Sequence, residues 1–435
     1  MQKDQTHSEN IRFRVLVVPS GTEIGLEIQR ALSCCKEVAL FSAGADVSNH
    51  APYVFQHHFD LPSIHDSAWL TRLNQIIAQA RIEYILPAHD DLLVALVQHA
   101  AAIPAYIVTS PLETCTLTRS KKQTYQCFAD ILPTPRIYAH PSDVDVFPVF
   151  LKPDRGQGAQ HTTLVHNREE LDVVWRQRTD WLILEYLPGS EYTIDCFADR
   201  ERGLLFCRGR RRLRVRSGIA MASRPEHQPI FTEYAQRIMA RLALHGAWFF
   251  QLKQAADEQF TLLEIAPRIA GTMALHRVYG VNFALLSLYE HARIPVQVLS
   301  NDLEITIDRA LTNRYQHNLK FNYVYVDLDD TLIIRGAINT VLVRFLYQCI
   351  NQQKYLILLT KHRGDLHQTL QHYRLRELFD TIIQLPPDAE KATMIQHKDA
   401  IFIDDSFRER QHVHTQLGIP TFDCSMVEML LDERG

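Results

Sequence analysis

The pattern of strands and helices changes twice along this chain, and those changes constrain its architecture more than any single residue does. At the start, "RVLVVPSG", "EIGLEIQRALSCC", "VALFSA", "AWLTRLNQIIAQA" and "YILPA" alternate apolar strand runs with amphipathic helical spacing, the rhythm of a βαβ sheet. Around residues 105–150 this gives way to "TRSKKQTYQCFADILPTPRI", read as a helix ending at a Pro-Thr-Pro turn. From 147 to about 290 short strands dominate, among them "FPVFLKP", "LILEYL", "EYTIDCFA", "AWFFQLK" and "FTLLEIA", which predicts an antiparallel sheet with flanking helices. After a connecting piece near 291–320, "YVYVDLD", "YLILLT", "TIIQLP" and "AIFIDD" resume the alternation and predict a second parallel unit. The reading is an α/β protein of several domains, as 435 residues are too many for one core.

Apolar residues make up 46% of the chain, charged residues 22%, and the formal net charge is −4. That balance argues against general nucleic-acid binding and leaves both a small-molecule enzyme and a binding module open. The polar start lacks the layout of a secretory signal and no run approaches a membrane span, so a cytoplasmic location without membrane attachment is expected. The eight scattered cysteines read as reduced thiols, and the histidines show no zinc-ligand spacing. Nothing in the sequence indicates an oligomeric state.

"VYVDLDDTLI", residues 324–333, crowds Asp327, Asp329 and Asp330 onto the end of an apolar strand. Strand side chains alternate between faces, so Asp327 and Asp329 are expected to project together while Leu328 packs behind them. Paired carboxylates repel unless a cation neutralises them, and oxygen ligands suit magnesium. A solvated Asp-rich turn is the plainer alternative, and for Asp330 the preferred reading is a helix cap. Three later segments add polar groups: Thr360 ends "LILLT", Lys391 lies in "DAEKATMI", and Asp404 and Asp405 end "IFIDD". The carboxyl ends of parallel strands converge on one crevice, where ligands bind. An exposed helix lysine is the alternative for Lys391.

That order and spacing resemble the haloacid dehalogenase (HAD) superfamily over roughly residues 321–435. The resemblance implies a Rossmannoid phosphatase domain acting on a phosphomonoester, with Asp327 as nucleophile and Asp329 as acid and then base. It further implies that Thr360 and Lys391 hold phosphoryl oxygens, and that magnesium is held among Asp327, Asp404 and Asp405, with Asp329 completing the acidic set. Only one helix, "NTVLVRFLYQCINQQ", separates Asp327 from Thr360, so the cap is expected to be minimal and the site open.

Earlier in the chain, "FPVFLKPDRGQGAQHTTLV" places Lys152 at a strand end before Gly156 and Gly158. Such a turn lets backbone N–H groups approach phosphates closely, although any hairpin can carry two glycines. With Lys121 in "RSKKQTYQCF", "LILEYLPGSEYTID" and "FFQLKQAADEQFTLLEIAPRIAGT", it resembles the ATP-grasp fold of carbamoyl phosphate synthase large chains and other carboxylate–amine ligases, over about residues 11–290. By that resemblance Lys121 (or Lys122) and Lys152 contact ATP phosphates, Glu185 to Leu187 form the hinge against adenine, Glu191 reaches the ribose, and Gln251 and Glu264 bind magnesium. Alternation puts Glu264, Ala266 and Arg268 on one face, with Arg268 a catalytic candidate. Many members have Asn where this chain has Ala266.

"CRGRRRLRVRSG" places Arg208, Arg210, Arg212, Arg214 and Arg216 at even spacing, which reads either as an anion-binding row or as a solvated edge strand. The expected organisation is a pre-ATP-grasp Rossmann-like domain (1–110), an ATP-grasp α+β domain (111–300), a linker (301–320) and a HAD-like domain (321–435). The expected function is a bifunctional enzyme using ATP and magnesium: an ADP-forming ligase of small-molecule carboxylate and amine substrates, and a phosphatase. The alternative is a phosphatase regulated by a non-catalytic nucleotide-binding module.

Overall fold

A computed structural model describes residues 12–434 apart from 157 and 159. The chain divides into two compact units, one ending at Leu311 and the other beginning at Thr312. No helix among the described residues is long and apolar enough to cross a membrane.

The larger unit begins with a parallel five-stranded sheet of order β3-β2-β1-β4-β5, where β1 is Phe13–Val18, β2 Val38–Gly44, β3 His58–Asp60, β4 Tyr84–Pro87 and β5 Tyr106–Ile107. Both faces are covered, which is why "RVLVV" is almost continuously apolar. Val15 and Val17 pack with Ile24 and Ile28 of α1 (Glu23–Leu32) on one side. Leu16 and Val18 pack on the other with Leu73 and Ile76 of α2 (Trp69–Ala80) and Leu92 and Leu96 of α3 (Asp90–Gln98). Thr22 starts α1 by accepting the Gly25 N–H at 3.0 Å.

The single helix expected near residue 120 is two helices, α4 (Leu112–Arg119) and α5 (Lys121–Phe128). Ser120 breaks them because its hydroxyl caps α5, accepting the Gln123 N–H at 3.1 Å. Next comes a four-stranded antiparallel sheet of order β6-β9-β7-β8, from β6 Ile137–Tyr138, β7 Val149–Pro153, β8 Thr163–Val165 and β9 Trp181–Glu185. A six-stranded sheet of order β14-β13-β10-β11-β12-β15 completes the unit: β10 Glu191–Asp199, β11 Gly203–Arg216, β12 Ile219–Glu226, β13 Gly246–Gln254, β14 Phe260–Ala266 and β15 Ile307–Asp308. The last strand falls within the segment read as a linker; it pairs with Ala222 and Ser223.

The smaller unit is a parallel sheet of order β20-β19-β16-β21-β22, from β16 Tyr323–Val326, β19 Tyr355–Thr360, β20 Thr381–Gln384, β21 Ala400–Ile403 and β22 Thr421–Phe422. Val324 and Val326 face Leu342, Phe345 and Leu346, while Tyr325 faces the opposite core with Ile357, Phe402 and Val413. Before the helix Thr340–Asn351 runs a small hairpin, β17 (Ile333–Ile334) and β18 (Ala337–Ile338). Its turn residues Arg335 and Gly336 both have positive φ, 51° and 74°, as a tight two-residue hairpin requires.

Candidate functional sites

In the larger unit, the end of β7 and the start of α5 are fastened together. The Asp154 carboxylate accepts from the Ser120 hydroxyl at 2.8 and 2.9 Å and from the Lys122 N–H at 2.8 Å. This turns the Lys121 ammonium onto the carbonyls of Asp154 (3.4 Å) and Gly156 (3.2 Å), while the Lys122 residue is exposed. Lys152 is buried and donates to the Tyr125 hydroxyl at 2.7 Å, which in turn donates to the Leu263 carbonyl at 2.7 Å. Burial, with the Lys121 ammonium adding to it, pushes the Lys152 amine down to about 7.

A cleft opens beside these lysines. Its walls include Lys121, Lys152, Gly156, Gly158, Glu191, Gln251 and Glu264. Gly158 has φ +63°, and a Cβ on Gly156 would come within 2.9 Å of Pro153 Cγ, so both positions favour glycine. Gln251 and Glu264 face each other across the β13–β14 ladder. The Glu264 carboxylate makes no hydrogen bond or ion pair with any described residue, whereas Glu191 is ion-paired with Arg212, which also donates to Gln251 Oε1 at 3.2 Å and the Gly218 carbonyl at 2.5 Å. Arg268, buried just beyond β14, grips Asp90 through two bonds of 2.5 and 2.8 Å. Burial alone would raise the Asp90 carboxyl, but the Arg268 charge and hydrogen bonds prevail and bring it to about 2.

The Glu185 side chain accepts the Arg136 N–H at 3.0 Å and Leu187 is buried. The even-numbered arginines do not form one row, because β11 has register shifts between Arg212 and Arg214 and between Arg214 and Val215. Arg208 is exposed beside Ser300, Arg214 pairs with Asp308, and only Arg210 and Arg212 turn inward. Arg210 is held by Asp195, which also meets His276 Nε2 at 3.0 Å. Asp90 was not singled out from the sequence, although its place just after β4 in a parallel sheet is a usual ligand-facing position.

In the smaller unit, the ends of β16 and β21 bring Asp327 and Asp404 side by side. Lys391 Nζ lies 2.6 Å from Asp327 Oδ1 and 2.6 Å from Asp404 Oδ2. At 3% exposure the Lys391 side chain is not a surface helix lysine. Burial, with Asp404 adding to it and Lys391 opposing it, pushes the Asp327 carboxyl up to about 6. Oxygens of Asp327, Asp404 and Asp405 lie within 4.8 Å of one another. Thr331 ties this group, donating to Asp405 Oδ1 at 3.2 Å and accepting the Asp405 N–H at 2.9 Å. Thr360 is buried at the end of β19, and its hydroxyl accepts the His362 N–H at 3.2 Å.

Asp329 stands outside this acidic trio. The strand ends at Val326, and the chain then turns through Asp330, with φ 55° and its N–H on the Ile333 carbonyl at 2.8 Å. Asp330 therefore caps no helix. The Asp329 side chain, 52% exposed, meets His362 Nδ1 at 2.9 and 3.0 Å, and His362 Nε2 meets Thr369 Oγ1 at 3.1 Å.

A family model described as "ATP-grasp in the biosynthetic pathway with Ter operon" matches residues 177–310. No curated protein matches the chain. Among solved structures, the fold is similar to the biotin carboxylase domain of Hydrogenobacter thermophilus 2-oxoglutarate carboxylase, solved with MgADP, ADP and bicarbonate (TM-score 0.55, 13% identity, 66% of this chain and 71% of that one). It is also similar to an L-amino acid ligase from Bacillus licheniformis (0.52, 16%, 66% and 75%) and to N5-carboxyaminoimidazole synthetase from Staphylococcus aureus with ADP (0.55, 13%, 67% and 79%). The larger unit carries an ATP-grasp domain.

In this ATP-grasp domain the residues at the cleft fit a magnesium ion in kind: Glu264 and Gln251 offer hard oxygens from adjacent strands, and the Glu264 carboxylate has no other partner among the described residues. Ala266, buried at the end of β14, offers no further side-chain ligand. The Asp327, Asp404 and Asp405 trio of the other unit is likewise an all-oxygen set suited to magnesium.

Proposed function

We infer that the larger unit is an ADP-forming ligase that activates a small carboxylate as an acyl phosphate for attack by an amine, with ATP as the phosphoryl donor. The observation that carries this reading is the unpartnered Glu264 carboxylate, opposite Gln251 and lining the same cleft as Lys121 and Lys152. In the proposed reaction a carboxylate oxygen of the acid attacks the γ-phosphorus, the bond to the β-phosphate oxygen breaks and ADP leaves. The amine then attacks the acyl carbon and inorganic phosphate departs. Lys121 and Lys152 supply positive charge along the phosphates, and the Gly156 and Gly158 turn brings backbone N–H groups close to them. Arg268 orients the acid, its own direction fixed by Asp90. Glu264 and Gln251 would hold magnesium, which supplies charge to offset that of the triphosphate.

For the smaller unit the proposed activity is phosphomonoester hydrolysis of the HAD type, with the hairpin 333–338 as the small insertion beside an open site. Lys391 holds Asp327 Oδ1 at 2.6 Å while Oδ2 accepts only the longer 3.4 Å bond from the Thr331 hydroxyl, so Oδ2 is the oxygen proposed to attack phosphorus. Asp329 gives a proton to the leaving alcohol and then takes one from the water that cleaves the aspartyl phosphate. Asp327, Asp404 and Asp405 would hold magnesium, which supplies charge that lets an anion approach a carboxylate.

Ala266 favours a second reading, in which the ATP-grasp domain binds nucleotide without catalysing ligation and only the smaller unit is catalytic. Incubating the protein with ATP, magnesium and a matrix of amino acids, small acids and amines separates the two. ADP release that depends on an acid, with a product mass equal to acid plus amine minus water, supports the ligase. ATP binding with no acid-dependent ADP from any pair supports the sensor, and AMP with pyrophosphate would refute the acyl-phosphate route.

A further inference from the structure

The cleft of the ATP-grasp domain continues past Gln251 and Glu264 into a second lobe, walled by Thr193, Arg210, Arg268, Arg309, Thr272 and the first turn of α1. The four arginines that reach it, Arg212 being shared with the first lobe, are not equally engaged. Arg212 spends Nη1 on Glu191 and Gln251 and Nη2 on the Gly218 carbonyl, leaving its Nε buried without a hydrogen-bond partner, and Arg268 is taken by Asp90 and the Ile269 carbonyl. Arg210 commits Nε and Nη2 to Asp195 and leaves Nη1 buried without a hydrogen-bond partner. Arg309 follows β15, held by its N–H on the Met221 carbonyl at 2.8 Å, and its guanidinium makes no hydrogen bond or ion pair with any described residue.

Buried guanidinium donors without partners are costly and rare in native structures. The buried Nη1 of Arg210 and the half-buried, unpartnered guanidinium of Arg309 on one lobe mark a place where acceptor oxygens arrive, and the planar fork of arginine matches a carboxylate or a phosphate. Asp195 and His276 fix Arg210 from behind, so its free edge is preorganised. Glu23, exposed at the rim, and the buried Glu27 act on Arg309 through space, but neither makes a hydrogen bond or ion pair with it.

Resting on the ligase reading, we propose that this second lobe selects the acid: the substrate is a dianion whose reacting carboxylate lies toward Arg268 and Glu264 and whose far anionic group, a carboxylate or a phosphate monoester, lies between Arg210 and Arg309. Residues 301–311, read from the sequence as a linker, thereby contribute specificity through Arg309, which directly follows β15.

The test is calorimetric binding to the full chain in magnesium and a non-hydrolysable ATP analogue, so that turnover is not needed. The probes are malonate, succinate, glutarate, adipate and 3-phosphoglycerate, each against a monocarboxylate of matched length. At least one dianion should bind ten-fold or more tightly than its matched monoanion, and its class identifies the far group. Arg309→Gln should erase that preference and Arg309→Lys should retain part of it, with melting temperature and analogue affinity recorded on both variants to show that they are folded. No dianion preference, or the same preference in Arg309→Gln, overturns the proposal. Dianion preference in a protein that fails to bind the analogue supports the lobe while sinking the ligase reading.

Discussion

Lys152 donates to the Tyr125 hydroxyl at 2.7 Å and has no carboxylate partner among the described residues. A buried ammonium so placed is held down to about 7, against 10.5 for an ordinary lysine. Between those values the unfolded chain binds more protons than the folded one, so this group makes stability rise with pH from about 7 to about 10.5. Its cost is fully present below that window. A triphosphate beside Lys152 reverses the shift. Binding of an ATP analogue at pH 8 should therefore take up a proton, seen as a binding enthalpy that changes with the ionisation enthalpy of the buffer. Lys152→Met should abolish the uptake and weaken the analogue ten-fold or more without lowering Tm.

Asp90 and Arg268 join residues 178 apart in sequence. The Asp90 carboxyl is depressed, so its contribution to stability is present above the ordinary value of 3.8 and lost as pH falls through about 2. That contribution is about 2 kcal/mol. Asp90→Asn should leave Arg268 buried without its partner, cost roughly 3 kcal/mol at neutral pH, and flatten the acid limb of a Tm-against-pH curve between pH 4 and 2. An unchanged acid limb would show that the pair does not tighten this region.

The two proposed activities should be separable. Asp327→Asn should lower phosphate release from phosphomonoesters by roughly 10³-fold or more, with acid-dependent ADP formation unchanged. Lys391 retains Asp404 in that variant, so the fold should persist. Loss of both activities in a folded variant would refute the division.

His362 holds Asp329 through contacts of 2.9 and 3.0 Å and is itself held by Thr369. As a positioning residue it should affect turnover more than binding. His362→Ala should lower kcat on a phosphomonoester about ten-fold with KM nearly unchanged, and His362→Asn, which keeps a hydrogen-bonding atom near the ring Nδ1 position, should recover part of the loss. A change confined to KM would assign His362 to substrate contact instead.

Gly209 lies where the helix Pro229–Met239 presses closest on β11. A Cβ there would stand 2.4 Å from a Phe231 ring carbon and 2.8 Å from the Glu226 carbonyl oxygen. Gly209→Ala should cost about 1–3 kcal/mol by overpacking, read as a drop in the denaturant midpoint. Gly203→Ala, with open space around it but φ +77°, should cost about 1 kcal/mol through backbone strain alone.

What the sequence disclosed of each site followed from how regular the backbone is there. Asp327, Thr360 and Asp404 follow or end parallel strands, where pairing alone carries them to a common edge, and strand-end reasoning located them with Lys391. Asp329 lies past the strand end at Val326, beside the left-handed turn at Asp330, and its contact with His362 is a tertiary one that no alternation rule anticipates. The even spacing of the β11 arginines left its two readings undecided for a related reason: register shifts after Arg212 change which side chains share a face. The hairpin at 333–338 left only the dipeptide Arg335-Gly336 as a signal. Asp90 and Arg309 reach the cleft through tertiary pairings, with Arg268 and with β12, that leave no local trace.

The position of Lys391 also bears on how the smaller unit assembles. Its two carboxylates come from neighbouring strands and lie 64 and 13 residues from it in the chain. A chain that has zipped β16 against β21 without docking the 391 segment confronts two acids in a nearly dry crevice, an arrangement with no counter-charge. Such a half-built state is penalised on electrostatic grounds before any substrate or ion is considered. The site is therefore a source of folding cooperativity, and native-state hydrogen exchange should find the amides of β16, β21 and Lys391 opening together in one event.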